Sequence, residues 1–256
     1  MKKAGLVYLL IALLYLGLTS FAFAGSKEIT VSAAMSLKNA FEEIGKLYES
    51  KTKTACVFNF GASGDLLKQI AGGAPVDIFA SAAKKDIDEA ESQGLILAGA
   101  RADFALNSVV LVVPANAKTA LNSFEGLNSA EIKKIAVGNP KSVPVGRYAE
   151  DVFNFYNILG SIRDKFIYAE NVRQVLDYVA RNETDAGVVY ATDAAARSKE
   201  VKVAAAAPEP SHKPVVYPIA VVKGSKNEAG AKAFIALVLS DEGQAVLQKY
   251  GFKSAN

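Results

Sequence analysis

An α/β architecture of two similar halves, each a mainly parallel sheet flanked by helices, is the fold class the sequence predicts. Three observations carry it. Short β-branched runs alternate with amphipathic stretches, the strand–helix–strand order of a parallel sheet. That alternation is interrupted by the very apolar run 108–114 and then begins again. A second long apolar run, 215–222, follows a Pro-rich segment, with only helical pattern after it.

The first elements predicted are a strand at 29–31 and a helix at 36–48, on which Leu37, Ala40, Phe41, Ile44, Leu47 and Tyr48 share one face. A strand at 57–60, a helix at 64–71 and a strand at 77–80 follow, the last entered through Gly72-Gly73-Ala74-Pro75. A helix at 84–92 stops near Gly94. The run 108–114 is so dense in β-branched residues that burial on both faces is expected. The second half reads as strand 135–138, helix 146–158, strand 166–169, helix 172–181 and strand 187–190. After the Pro-rich segment come the run 215–222 and helices at 229–239 and 241–250. If the two long apolar runs connect the halves, a first lobe comprises 25–107 plus 217–256 and a second comprises 108–216. No repeat of fixed period is visible.

The first residues carry an export pattern. Lys2 and Lys3 precede the apolar stretch 5–18, and Ala22-Phe23-Ala24 precedes Gly25, which predicts a signal peptide over 1–24 cleaved after Ala24 and a periplasmic product. A retained membrane anchor is the rival reading, since 5–24 is almost long enough to span a bilayer. Gly25, not a cysteine, stands directly after the cleavage site, so no lipid attachment point is offered there. Cleavage removes two of the 29 basic residues and none of the 26 acidic ones, leaving the two signs nearly equal. With no basic excess or stripe, nucleic acid is not an expected partner. Cys56 and His212 are the single cysteine and histidine, too few for a zinc site of the usual nitrogen and sulfur ligands. Cys56 lies in the apolar run Cys56-Val57-Phe58 and is expected at a buried strand position.

Four predicted strand-to-helix junctions place a small or polar residue where the helix begins. They are Ala33-Ala34-Met35-Ser36-Leu37, Gly61-Ala62-Ser63-Gly64, Val143-Pro144-Val145-Gly146-Arg147 and Ala169-Glu170-Asn171-Val172-Arg173. Ligands of open α/β sheets bind outside the carboxyl ends of the strands, where these junctions fall. A helix start there presents unpaired N–H groups and the positive end of its dipole to an anion. Ser36 and Ser63 each add a hydroxyl donor. Ordinary N-capping is what serine more often does at a helix start, and the junctions alone do not distinguish a binding site from good capping.

These junctions, with Gly73-Ala74-Pro75-Val76-Asp77-Ile78-Phe79-Ala80-Ser81-Ala82, Ala136-Val137-Gly138-Asn139-Pro140, Gly187-Val188-Val189-Tyr190, Tyr217-Pro218-Ile219-Ala220-Val221-Val222 and the Tyr250-Gly251-Phe252 ending, resemble the periplasmic molybdate-binding proteins of ABC importers. The resemblance runs in order along nearly the whole mature chain. It implies the two-lobed type II periplasmic-binding-protein fold with two connecting strands, a monomer, no catalysis and no cofactor. It also implies capture of molybdate or tungstate between the lobes, and delivery to an ABC permease in the inner membrane. Matched motif by motif, the oxyanion is expected on Ser36 and Ser63 through hydroxyl and N–H, on the N–H groups of Val145 and Val172, and on the Tyr190 hydroxyl. The metal would be reached only through its oxygens, with no direct protein ligand. Relatives often have alanine at the Val145 position, and some have serine where this chain has Ala62.

A donor-only site suits molybdate, which carries no proton at neutral pH, and no interior carboxylate is placed at the junctions to accept from protonated phosphate. The same fold tuned to sulfate, phosphate or another small anion is the alternative. A serine hydrolase is more distant: Gly61-Ala62-Ser63-Gly64-Asp65 fails the G-x-S-x-G elbow at its fifth position, and His212 sits in a Pro-rich connector. Arg147 and Arg173, one residue beyond proposed contacts, are expected to face solvent or to pair between lobes.

Overall fold

The computed structural model describes residues 28–118 and 120–255; the expected signal peptide lies outside them. The chain runs β1 (Glu28–Ala34), a 3₁₀ turn (Met35–Leu37), α1 (Lys38–Thr52), β2 (Ala55–Gly61), α2 (Ser63–Ala71), β3 (Ile78–Ala80), α3 (Lys84–Ser92) and β4 (Ile96–Asn107). It continues through β5 (Val109–Pro114), β6 (Ile135–Gly138), α4 (Pro144–Phe155), α5 (Leu159–Ile162), β7 (Phe166–Ala169), α6 (Val172–Ala180), β8 (Ala186–Tyr190), α7 (Ala191–Ala196) and β9 (Val201–Ala206). It closes with β10 (Val215–Val222), α8 (Glu228–Leu239) and α9 (Asp241–Lys249).

Two five-stranded sheets result, ordered β2-β1-β3-β10-β4 and β7-β6-β8-β5-β9. They match position for position. In each, three strands pair in parallel, β2 and β3 on β1, and β7 and β8 on β6, and the fourth strand runs antiparallel to both its neighbours. The two antiparallel strands, β10 and β5, are the long apolar runs of the sequence, and every residue in them is buried. Each strand hydrogen bonds within one sheet: Val215 and Val216 of β10 pair with Asn107 and Leu106 of β4, whereas β5 pairs with β8 and β9. The chain therefore passes between sheets at Ser108 and again along 207–214.

β4 and β9 are the strands the hydrophobic pattern did not predict. Both lie at sheet edges, and both are partly exposed along their length, so neither carries the apolar run of a covered strand. The edge position also corrects the expectation for Cys56. On β2 the residues alternate between exposed and half-buried, Val57 is 46% exposed, and Cys56 is half-buried. Burial pushes its thiol up to about 12, which keeps it protonated and unreactive at neutral pH.

The first sheet carries apolar packing on both faces. On one, Phe41 of α1, Phe104 of β4 and Phe234 of α8 meet with ring centroids 5.7 and 5.8 Å from Phe41, beside Phe58 of β2. All three are fully buried, each contributing about 1.5–3 kcal/mol relative to exposure. On the other face Leu66, Leu67 and Ile70 of α2 pack with Ile87 and Ala90 of α3 over Phe79 and Ala220. The loops at the base of each lobe are tied by equivalent carboxylates. Asp77, just before β3, accepts from Thr30 N at 2.8 Å, and Asp185, just before β8, accepts from Lys134 N at 2.8 Å.

Parallel pairing has one consequence for the site. The carboxyl ends of β1, β2 and β3 open on one side of their sheet, those of β6, β7 and β8 on one side of theirs, and these two rims face each other across a cleft.

Candidate functional site

Each rim is built from the carboxyl ends of its parallel strands and the turns that leave them. β1 ends at Ala34 and turns directly into the 3₁₀ turn holding Ser36; β2 ends at Gly61, one residue before α2, whose first residue is Ser63. On the second lobe, Val145 is the second residue of α4, and Pro144 at its start has the φ a first helical turn requires. Val172 is the first residue of α6, and Tyr190 is the last of β8. Gly146 lets α4 begin this close to its strand, since a Cβ there would lie 2.0 Å from the Gly138 carbonyl oxygen at the end of β6.

All five residues expected from the sequence line one narrow cavity between the lobes, with 34–35, 61–62, Ala82, 143–144 and Asn171 completing its wall. None is more than 6% exposed. No carboxylate is among the lining residues. As first-turn positions, Val145 and Val172 carry N–H groups outside the helical i→i−4 ladder.

Neither serine caps its helix. The residues preceding these helical segments, Ala34 and Ala62, have no side chain that could, and the two hydroxyls have other partners. Ser63 Oγ accepts from Ala82 N at 3.0 Å, and Ser36 Oγ lies 2.9 Å from Tyr217 Oη. Capping does occur on α6, where Asn171 Oδ1 accepts from Gln174 N at 3.1 Å, a bond that does not use the Val172 N–H. Tyr190 Oη donates to the Ala82 carbonyl at 3.4 Å, a long bond from the second lobe to the first. Burial pushes the phenols of Tyr190 and Tyr217 far up, so both keep their protons.

Among the described residues, three polar contacts join the rims. Besides the Tyr190 bond, Gly64 N donates to Ser142 O at 2.9 Å, and Arg147 Nη2 meets Asp86 Oδ2 at 2.6 Å. Asp86 is almost fully buried; burial raises its pKa, and the Arg147 charge opposes that rise. Arg173 behaves differently. It stays within its lobe, 3.4 Å from the fully buried Asp193, whose carboxyl burial pushes up to about 6 against the pull of Arg173. A larger cleft of about 660 Å³ opens beside the site, between Lys84 and Lys85 of the first lobe and Arg147, Tyr148 and Lys213 of the second.

Sequence reasoning missed Tyr217 and Asn107, which stand behind Ser36. The available signal was a tyrosine at a covered position of an aliphatic strand, because a buried phenol hydroxyl usually has a partner. His212 packs its ring on Tyr148 at 5.6 Å, and its Nδ1 faces the Lys213 carbonyl at 2.7 Å, so it is no base for Ser63. Among the described residues, no three His, Cys, Asp or Glu side chains gather as a metal site.

Residues 29–253 match the family described as bacterial extracellular solute-binding protein. The molybdate-binding protein ModA of Haemophilus influenzae is 38% identical over 249 residues, covering 95% of this chain and 96% of that protein. Among solved structures, the periplasmic molybdate-binding protein of Azotobacter vinelandii superposes with a TM-score of 0.78 at 24% identity, over 88% of this chain and 98% of that one. The sulfate-binding protein SubI of Mycobacterium tuberculosis H37Rv gives 0.77 at 18% identity, over 90% and 87%. These two likenesses establish the fold alone. The sequence matches establish more: the chain belongs to the bacterial extracellular solute-binding protein family.

Proposed function

We propose that this chain captures molybdate, and tungstate as its near-isostere, in the cleft between the lobes and delivers it to an ABC permease. The anion sits on the hydroxyl and N–H of Ser36 and Ser63, on the N–H groups of Val145 and Val172, and on the hydroxyl of Tyr190. One observation carries this reading: five residues able to donate, through seven groups, line a cavity whose lining contains no carboxylate. An ion without protons accepts from all of them, while a protonated one finds no charged acceptor. The name carried by the Haemophilus influenzae relative supports the choice of ion. The protein binds and releases without catalysis, acts as a monomer, and works in the periplasm after loss of 1–24. Closure of the rims over the anion excludes water and strengthens each hydrogen bond to the charge.

Melting the mature protein with molybdate, tungstate, sulfate or phosphate at equal concentration tests the assignment. A ligand at a thousand times its Kd adds about 4 kcal/mol to folding stability, so molybdate and tungstate are expected to raise the melting temperature by several degrees. A shift with phosphate alone, or with none of the four, refutes it.

A further inference from the structure

Ser36 is held from behind by a short chain of hydrogen bonds whose direction can be worked out. Asn107 lies where the chain passes from the first sheet to the second, and its Oδ1 accepts from Ser108 N at 2.9 Å. That fixes the amide orientation, with Nδ2 facing the other way. Its two protons have two acceptors, Thr192 Oγ1 at 2.9 Å and Tyr217 Oη at 3.3 Å. Tyr217 is fully buried and its phenol is protonated, so its own proton needs an acceptor. Ser36 Oγ, at 2.9 Å, is its remaining partner. The serine oxygen therefore accepts from Tyr217, and its proton is left for the cleft.

We propose that Asn107 and Tyr217 are positioning residues that turn Ser36 into an obligate donor, and that through this relay the site discriminates against oxyanions that carry a proton. The inference rests on the oxyanion reading of the cleft. Ser63 needs no such side chain, because the Ala82 N–H occupies its oxygen from the backbone. Of the two serines on the first rim, Ser36 is thus the one whose hydroxyl direction is set by side chains.

Two substitutions separate direction from packing. Tyr217→Phe keeps the ring against Phe104, Tyr190 and Phe252 and removes the hydroxyl, freeing the Ser36 oxygen to accept from a protonated ligand. Asn107→Asp keeps the acceptor for Ser108 N but reverses the relay: Tyr217 then donates to the new carboxylate, and Ser36 must donate to Tyr217. Affinities for molybdate, sulfate and phosphate are to be measured on the full mature chain at about pH 8, where phosphate is largely a dianion that still carries one proton.

In Tyr217→Phe, the preference for molybdate and sulfate over phosphate is expected to fall about tenfold, the worth of one hydrogen bond gained by the protonated ion. In Asn107→Asp, molybdate and sulfate are expected to weaken about a hundredfold and phosphate distinctly less, since the added charge penalises all three dianions alike. Equal weakening of all three ions in both variants, with a lowered melting temperature, would mean a purely structural role and overturn the relay. Unchanged preferences in Tyr217→Phe overturn it too, even if Asn107→Asp fails to fold. An unsubstituted protein that binds none of the ions overturns the oxyanion reading itself, a result distinguishable from both.

Discussion

The two rims of the cleft meet the same cavity with different chemistry. The first lobe offers Ser36 and Ser63, side-chain donors whose oxygens are held by Tyr217 and by the Ala82 N–H. The second offers mainly backbone: Val145 and Val172 reach the cavity at the starts of α4 and α6, while their side chains belong to the hydrophobic core. Only Tyr190 adds a side-chain hydroxyl there. A backbone donor is set by where a helix begins, so its side chain is left to serve packing. A hydroxyl donor must be aimed, so it needs a partner behind it. The first rim is therefore vulnerable to truncation, and the second to changes that touch the main chain.

The sharpest break of this arrangement is at the point where the rims touch. A Cβ on Gly64 would lie 2.9 Å from both the Cα and the carbonyl oxygen of Ser142, backbone atoms that no rotamer change can clear. Gly64→Ala is expected to hold the lobes apart and cost about a hundredfold in molybdate affinity, since donors of both rims are stretched together. Calorimetry gives the affinity, and small-angle scattering shows whether ligand still compacts the protein. Unchanged affinity without compaction would remove closure from the mechanism, and full compaction with unchanged affinity would mean that the Gly64–Ser142 approach does not limit it. Next in size are Ser36→Ala and Ser63→Ala, each expected to cost about 1.5–3 kcal/mol of binding, the range for a hydrogen bond to a charged group. A variant that binds as before takes its serine out of the site.

Much of this organisation is legible in the sequence, and what is not has a physical cause. The covered strands β5 and β10 and the interior parallel strand β6 show as apolar runs because their faces are buried, and the edge strand β7 shows through Phe166, Ile167 and Tyr168 although the last two are exposed. The edge strands β4 and β9 lack that signature. At the site, helix-start chemistry alone left Ser36 and Ser63 as caps or as anion donors. What separates the two is the identity of the atoms behind each hydroxyl, Tyr217 Oη at 181 residues' distance along the chain and Ala82 N across the loop after β3. Such partners are set by tertiary packing and have no local pattern. The same holds for Arg147 and Arg173, alike in sequence position. One reaches Asp86 across the cleft, the other Asp193 within its own lobe.

The smallest expected effect is the most specific test of the backbone rim, and Val172 is the place for it. Asn171 before it has φ −159° and ψ 171°, the extended geometry that a following proline requires, and position 172 begins the helix, where a missing N–H breaks no helical bond. Val172→Pro therefore removes the proposed donor with little strain, while Asn171 still caps the helix. The affinity for molybdate is expected to fall about tenfold. Val172→Ala keeps the donor and loses only buried carbon, at about 1–2 kcal/mol of folding stability, and its affinity is expected to stay within about twofold of the parent. Denaturation curves read the first quantity and calorimetry the second. If alanine weakens binding as much as proline does, the valine side chain acts on the ligand, and the division between an aimed rim and a backbone rim fails at this residue.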